Sequence, residues 1–291
     1  MSKRDWSAYN GALVREGSFF LSGKVLDSLR KFDVQTRRKV GRPPYPNSLI
    51  ILLALIRTYF KLPYRQTEGM AKDVLSKLNV TIPSYATIDR RVRELTIPLE
   101  LDPSSSSFEL AIDSTGYKVS NRGDWMREKW KRKRGYVKLH VAVDVKTKKV
   151  ITLEVTDESV GDNKKFQPLL ERASSKARVE KVYADTAYDT RANFNLLNAM
   201  NAEAAIKPRK NASGKTRGSY LRAKVVRAFL PDQEAWKRSV SYGTRWMVET
   251  CNSTMKRCLG EFVRAIDRWQ IVQEMRTKCL TYNLLTAWRS A

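Results

Sequence analysis

The hydrophobic periodicity of this chain changes once, at the serine-rich stretch Pro103–Ser107. Before this stretch the apolar residues recur at helical spacing, and after it they form the short or alternating runs of β-strands. Serine-rich stretches of this kind are typical of linkers. The sequence therefore predicts an all-α region at 1–100, a linker at 101–107 and an α/β region at 108–291.

Five strands are predicted in the α/β region. They are expected at 108–114, 136–145, 149–156, 179–185 and 202–206. A short turn joins the second strand to the third, so these two form an antiparallel hairpin. Helices at about 163–175 and 190–200 lie on either side of the fourth strand in the sequence. This order predicts a ribonuclease H-like fold, in which helices flank a mixed five-stranded sheet.

The all-α region predicts a DNA-binding unit of the helix-turn-helix type. Helices at 64–78 and 84–95 follow each other across a short turn. The second helix keeps its apolar residues on one stripe and leaves Arg90 and Arg91 off that stripe, as a helix does when it reads the major groove of DNA. A plain helical bundle would show the same stripes and is the alternative.

The charge of the chain favours a polyanionic partner. Lys and Arg number 55 against 30 Asp and Glu, which gives a formal net charge of +25. Each cation that neutralises a phosphate releases counterions and so favours binding to nucleic acid. Because 42% of the residues are hydrophobic, the chain can bury a core. The surplus positive charge therefore indicates a folded protein that binds a polyanion and not a basic tail.

Nothing in the sequence predicts export or membrane insertion. The longest apolar run, Leu49–Ile56, is far shorter than the roughly 20 residues that span a bilayer, and no stretch resembles a signal peptide. Three cysteines without CxxC spacing fit reduced thiols. We therefore expect a soluble, cytoplasmic protein.

A helix predicted from Tyr242 to Lys256 carries the most informative side chains. At about 100° per residue, Tyr242, Arg245, Glu249 and Lys256 fall within an arc of about 60°, and the opposite side is apolar. A carboxylate that can bind a hard metal ion, beside cations that can bind phosphate, predicts a metal-dependent phosphoryl-transfer site on nucleic acid. The alternative is a solvent-exposed helix with ordinary ion pairs.

Two aspartates are candidate partners for this glutamate. Asp113 ends the first predicted strand and Asp185 ends the fourth, so both carboxylates would emerge at one edge of the sheet if these strands are neighbours. With Glu249 they would offer three oxygen ligands, which suit Mg²⁺ or Mn²⁺, and two such ions would serve an in-line displacement at phosphorus. Each aspartate could instead cap the turn that follows it.

Two further residues are weaker candidates for a position near the metal. Asp189 is expected to cap the helix that follows it, and His140 is expected to lie in the core. For both residues the alternative is a supporting contact to the metal ligands.

Two basic tracts are expected to contact DNA. In the first, aromatic and cationic side chains alternate before the second strand, and the candidates are Trp125, Trp130, Lys131, Arg132, Lys133 and Arg134. The second is a basic insertion at about 207–240. A solvated charged loop is the alternative for both tracts.

These motifs resemble those of the DDE transposases of prokaryotic insertion sequences, in the superfamily that joins insertion-sequence families four and five. The family's Y-(2)-R-(3)-E-(6)-K signature is matched at every position, by Tyr242, Arg245, Glu249 and Lys256. Stretches 112–116 and 184–189 are similar to its two aspartate motifs, and 63–69 is similar to its N-terminal DNA-binding region.

The resemblance implies a transposase that cuts DNA at the ends of an insertion sequence and joins those ends to target DNA, with Mg²⁺ or Mn²⁺ as cofactor. It implies that the catalytic metal ligands are Asp113, Asp185 and Glu249. It also implies contacts to the terminal phosphates from Tyr242, Arg245 and Lys256.

The implied partners are double-stranded DNA, as terminal inverted repeats and as target, and a second copy of the chain in a synaptic homodimer. The implied location is a prokaryotic cytoplasm, at the nucleoid when bound to DNA. Two alternatives stay open. One is a catalytically inactive or domesticated DNA-binding protein derived from such a transposase, and the other is a nuclease that cuts without strand transfer.

Overall fold

A computed structural model describes most of the 291-residue chain. The described residues are 5, 7, 10–11, 23–33, 44–75, 80–100, 105–119 and 135–290. The chain divides into two compact units. Unit 1 comprises residues 1–103 and 257–291, and unit 2 comprises residues 104–256.

Ten helices and six strands organise the described residues. The helices are α1 (Gly23–Arg30), α2 (Asn47–Tyr59), α3 (Tyr64–Leu75), α4 (Tyr85–Glu94), α5 (Phe166–Ser174), α6 (Arg191–Ala199), α7 (Tyr220–Phe229), α8 (Gln233–Ser239), α9 (Trp246–Leu259) and α10 (Arg268–Ser290). The strands are β1 (Ser107–Val119), β2 (Tyr136–Asp144), β3 (Val150–Asp157), β4 (Arg178–Ala184), β5 (Glu203–Ile206) and β6 (Phe262–Val263). None of the described helices combines the length and the apolar character needed to cross a membrane.

Unit 1 is built around the apolar helix α2, which is buried from Leu49 to Ile56. Ile88 and Val92 of α4 are buried against the same cluster, so the apolar stripe predicted for this helix is observed. Leu280 of α10 also belongs to the cluster. The end of the chain therefore packs on the N-terminal helices, and residues 257–291 fall in unit 1.

Unit 2 contains a mixed sheet whose strands run in the order β3-β2-β1-β4-β5. Strand β2 pairs antiparallel with β1 and β3, and β4 pairs parallel with β1 and β5. One face of the sheet packs against α5 to α8 in a single apolar cluster. The predicted mixed α/β fold with flanking helices is therefore confirmed.

The structure differs from the sequence-based expectation at the end of the first strand and in the basic insertion. Strand β1 does not end at Asp113 but continues to Val119, because it stays paired with β2 as far as Lys118 and Tyr136. The basic insertion is not a loop throughout, since residues 220–239 contain α7 and α8. These helices form because their apolar residues are buried in the core, namely Ala223, Val225, Val226, Phe229 and Trp236.

Candidate functional site

Asp113 and Asp185 occupy matching positions on neighbouring strands. The last paired residues of β1 and β4 are Ala111 and Tyr183, and each aspartate lies two residues further along its strand direction. Residues two apart in a strand share a face, and neighbouring strands are about 4.8 Å apart. The backbone of Asp185 is still extended, so both carboxylates leave the same face of the sheet beside the end of β4.

Asp113 carries a charge that the chain neutralises poorly. Its pKa is raised to about 6, mainly by burial and to a smaller extent by the neighbouring carboxylates of Asp185 and Glu249. A hydrogen bond from the backbone of Ser114 and the nearby guanidinium of Arg245 lower this pKa but do not offset the burial. An excess of negative charge in a partly buried position is what a cation site requires.

Asp185 also performs the capping role that was the alternative for a strand-terminal aspartate. Its Oδ1 accepts a hydrogen bond of 2.8 Å from the backbone of Ala187 and caps the short 3₁₀ turn Thr186–Tyr188. A carboxylate has two oxygens and about four acceptor positions. The cap therefore orients Asp185 without consuming its capacity to bind a metal.

The segment that carries Glu249 begins differently from the prediction. A 3₁₀ turn covers Tyr242–Arg245, and the α-helix α9 starts only at Trp246, so a continuous helix from Tyr242 was wrong. The apolar stripe is present, since α9 buries Val248, Cys251, Met255 and Leu259. On the other face Arg245 forms an ion pair with Glu249, whose side chain is 52% exposed.

Both ends of this segment contact strands of the sheet. The hydroxyl of Tyr242 donates a hydrogen bond of 3.2 Å to the carbonyl of Ala184, the residue before Asp185. The ammonium of Lys256 lies 5.5 Å from the ring centroid of Tyr117 in β1. Since Tyr117 and Asp113 are four residues apart in one strand, they share a face.

The donor set fits Mg²⁺ or Mn²⁺ in chemistry, but the ligands are not assembled. Asp113, Asp185 and Glu249 offer the carboxylate oxygens that these ions prefer, and burial, with a smaller contribution from the other two carboxylates, raises the pKa of Asp113. Within the described ranges, no group of three His, Cys, Asp or Glu residues could hold a metal ion as placed. Glu249 is instead bound to Arg245.

The predicted role of Asp189 as a helix cap was wrong. Thr190 caps α6, whereas the buried carboxylate of Asp189 accepts hydrogen bonds of 2.6 and 2.9 Å from Arg222 and one of 2.9 Å from the backbone of Arg209. Asp189 therefore ties the basic segment to the end of β4. Arg222 lies 33 positions away in the sequence, and no local pattern pointed to it.

His140 lies on the face of the sheet opposite to Asp113. It pairs with Ser114, whereas Asp113 pairs with Val141, and successive residues of a strand point to opposite faces. Its Nε2 lies 2.8 Å from the hydroxyl of Thr156, and burial lowers its pKa to about 4. His140 is thus a neutral buried side chain that the sheet does not bring to the carboxylates.

The predicted DNA contacts fall into three groups. Arg90 is 68% exposed. Arg91 is only 16% exposed and donates a hydrogen bond of 2.7 Å to Asn47, so its guanidinium is committed within unit 1. The aromatic and basic tract lies outside the described residues, with Trp125, Trp130, Lys131, Arg132, Lys133 and Arg134.

Asn252 was not among the residues predicted from the sequence, although its position around the helix follows from its spacing to Glu249 and Lys256. It is 5% exposed and lies between Glu249 and Lys256 in the sequence, at the border between the polar side of α9 and its buried stripe.

Two family models match the chain. Residues 108–284 match a model described as Transposase DDE domain, and residues 14–122 match a second model with the same description. Among solved structures, the chain is similar to piggyBac transposase in the cryo-EM structure of its synaptic complex with hairpin DNA. The identity is 11%, the TM-score is 0.39, and the match covers 95% of this chain and 74% of that one. Because the first family match covers more than half of the 291 residues, the chain belongs to the DDE transposase family.

Proposed function

We propose that this transposase cuts DNA at the ends of an insertion sequence in a metal-dependent reaction and joins those ends to target DNA. The observation that carries the proposal is the matching placement of Asp113 and Asp185 on neighbouring parallel strands. The burial that raises the pKa of Asp113 supports it, because a bound cation would stabilise the charged form of this carboxyl.

The topology of unit 2 supports a ribonuclease H-like catalytic domain. The order β3-β2-β1-β4-β5, with an antiparallel half and a parallel half, is compatible with the ribonuclease H-like fold expected from the sequence. We assign the catalytic role to the region 108–291 and the recognition of terminal inverted repeats to the region 1–100.

Asp113, Asp185 and Glu249 would hold the metal, as two Mg²⁺ or Mn²⁺ ions. When bound, such ions activate the attacking water or 3′-hydroxyl and stabilise the leaving oxygen. The chain itself holds Asp113 in β1 and orients Asp185 through the cap on Ala187. Glu249 would exchange Arg245 for the metal.

That exchange would release the guanidinium of Arg245 for a phosphate oxygen, to which it can bind in a bidentate manner. Lys256 would contact the same backbone as a point charge. Tyr242 already donates its hydroxyl to Ala184, so a phosphate contact would require that hydrogen bond to be exchanged. The same side chain meanwhile holds the segment against β4.

The DNA partner would be recognised mainly by unit 1. Helices α3 and α4 would form the helix-turn-helix, with the exposed Arg90 directed at DNA. The basic segment that Arg222 attaches to Asp189 would follow the phosphate backbone. A synaptic homodimer is part of the proposal, because two element ends must be joined in one event.

The test is incubation of the purified protein with DNA that bears the element ends, Mg²⁺ and a target plasmid, followed by sequencing of the junctions. Wild-type protein is expected to nick the ends and to produce junctions. Asp113→Ala is expected to bind the ends but to lose both products, while Asp157→Ala, at an exposed aspartate, retains them. Unchanged nicking in Asp113→Ala would contradict the proposed metal site.

The same assay separates the alternatives. Nicking without junctions, even from a precut end, would favour a nuclease that does not transfer strands. End binding by wild-type protein without any nicking would favour an inactive or domesticated DNA-binding protein.

A further inference from the structure

Asn252 is a buried side chain whose amide is unpaired. It lies in α9 and is 5% exposed, and neither its Nδ2 nor its Oδ1 makes a hydrogen bond within the part of the chain that the structure describes. Most buried polar groups in proteins are hydrogen-bonded, and each exception requires an explanation. A partner that arrives with a ligand is one such explanation.

Asn193 shows how unit 2 accommodates a buried asparagine with a structural role. It is also 5% exposed, but its Nδ2 donates a hydrogen bond of 2.9 Å to the carbonyl of Tyr188. The hydroxyl of Thr190 accepts another from its backbone N–H at 3.2 Å. Burial alone therefore does not explain why the amide of Asn252 is unpaired.

The position of Asn252 in α9 makes two residues of the signature its neighbours along the helix. Asn252 lies three residues after Glu249 and four before Lys256, which at about 100° per residue is about 60° and 40° away around the helix. Helical side chains lean toward the N-terminus, so the amide is expected to lean toward the turn that carries Glu249. Residues three and four apart are side-chain neighbours.

Glu249 needs a new hydrogen-bond donor if it is to bind a metal. Its carboxylate is now bound to Arg245, and the described residues hold no assembled three-ligand group. Carboxylates that ligate a metal are in turn hydrogen-bonded by other groups, which fix their orientation. Nδ2 of Asn252 is an unpaired donor on this side of α9.

We propose that Asn252 is a positioning residue for Glu249. Its Nδ2 donates a hydrogen bond to the Glu249 carboxylate when that carboxylate binds the divalent metal, and its Oδ1 accepts one from the ammonium of Lys256. The amide thereby holds the metal ligand in register with the cation that would face the DNA phosphate. This inference rests on the proposed function, since it requires a metal at Glu249.

The test compares Asn252→Leu with two matched controls in the full chain. Leucine keeps the approximate volume and removes both polar atoms. Ser253→Ala changes the exposed neighbouring residue, and Asn193→Leu changes an asparagine that is equally buried but hydrogen-bonded. Each variant is measured for its Tm in EDTA, its Mn²⁺ Kd by electron paramagnetic resonance, and the Mg²⁺ concentration that gives half-maximal nicking.

Asn252→Leu is expected to keep or raise the Tm in EDTA, because it removes buried polar atoms that have no partner. Asn193→Leu is expected to lower it. In Asn252→Leu the Mn²⁺ Kd and the half-maximal Mg²⁺ concentration are both expected to rise about 10- to 100-fold, whereas Ser253→Ala changes neither. Asn252→Gln, which restores the donor, is expected to recover part of the Mn²⁺ affinity.

Wild-type Mn²⁺ affinity in Asn252→Leu, or a loss of Tm equal to that of Asn193→Leu, would overturn the inference. Glu249→Gln distinguishes the two possible failures. If Glu249→Gln weakens Mn²⁺ binding and Asn252→Leu does not, only the inference fails. If wild-type protein and Glu249→Gln bind Mn²⁺ equally poorly, the proposed metal site fails and the inference fails with it.

Discussion

Asp113 and Asp189 are both aspartates withdrawn from solvent in unit 2, but the chain neutralises them to very different degrees. Asp189 has a fully buried side chain that accepts two hydrogen bonds from Arg222 and one from the backbone of Arg209. Asp113 has its pKa raised to about 6 by burial, and the negative charges of Asp185 and Glu249 act in the same direction.

This difference in pairing distinguishes side chains that stabilise the fold from side chains that are candidates for binding a ligand. A buried charge that is paired within the chain contributes to structure, whereas a carboxylate with a raised pKa in a partly open position is a candidate for function. Asn193 and Asn252 show the same contrast between neutral amides. Substitutions should therefore have opposite effects on stability in the two classes.

The largest effect is expected from Arg222→Ala, which leaves the buried carboxylate of Asp189 without its cation. Removing one partner of a buried ion pair costs about 3–5 kcal/mol, so the free energy of unfolding measured with urea should fall by about that amount. Arg191→Ala, at an exposed arginine, should change it by less than about 0.5 kcal/mol. Equal stability of the two variants would contradict a structural role for the ion pair between Asp189 and Arg222.

Asp113→Asn is expected to stabilise the metal-free protein. The pKa of Asp113 is about 6 in the folded protein against an ordinary 3.8, so folding carries a penalty that is complete above pH 6 and absent below pH 4. One pKa unit corresponds to 1.36 kcal/mol, and after a discount for remaining exposure we expect a gain of about 1–2 kcal/mol at pH 8.

Chemical denaturation in EDTA at pH 8, 6 and 4 tests this prediction. The advantage of Asp113→Asn should shrink as the pH falls from 6 and vanish by pH 4. A variant that is less stable than wild type at pH 8 would place Asp113 with Asp189 among the structural residues.

Tyr242→Phe is expected to have a smaller effect, because it removes one hydrogen bond at the start of the Glu249 segment. The carbonyl of Ala184 still accepts a hydrogen bond from the backbone of Lys207, so no buried acceptor is left without a partner. The free energy of unfolding should fall by about 0.5–1 kcal/mol. Tyr220→Phe, at a tyrosine that is 69% exposed, is the control and should show no loss.

The smallest effect on stability is expected from Arg90→Ala. It extends the comparison to two cations, the exposed Arg90 and the hydrogen-bonded Arg91. Arg90 is largely exposed, so its removal should change stability by less than about 0.5 kcal/mol while it weakens binding to end DNA. Arg91→Ala should destabilise unit 1 by about 1 kcal/mol, because it breaks the hydrogen bond to Asn47. A reversed order, in denaturation and in DNA titration, would contradict the proposed recognition surface.

The parts of the fold that could be predicted are those with a local signal. Alternating apolar residues located the strands of unit 2, and the 3.6-residue period placed Val248, Cys251 and Met255 on the buried side of α9. The ion pair between Arg245 and Glu249 was also foreseeable, since residues four apart on a helix are neighbours. The alternative of ordinary ion pairs on this face thus describes part of what is observed.

The features that could not be predicted depend on distant residues or on weak local signals. The pairing of Asp189 with Arg222 requires α7 to return to the end of β4, which no local pattern encodes. Helix α7 itself was hidden because Arg222, Lys224 and Arg227 interrupt its apolar residues. The extension of β1 past Asp113 is supplied by pairing with β2 across Gly116, a residue that weakens a strand signal.

We propose that Asp113, Asp185 and Glu249 bind divalent metal together once Glu249 leaves Arg245. The most direct measurement is the anomalous scattering of Mn²⁺ in crystals of the wild-type protein bound to end DNA. We expect Mn²⁺ about 2 Å from carboxylate oxygens of all three residues, with Arg245 on a DNA phosphate. Mn²⁺ bound elsewhere, or Glu249 still paired with Arg245 beside a bound ion, would contradict it.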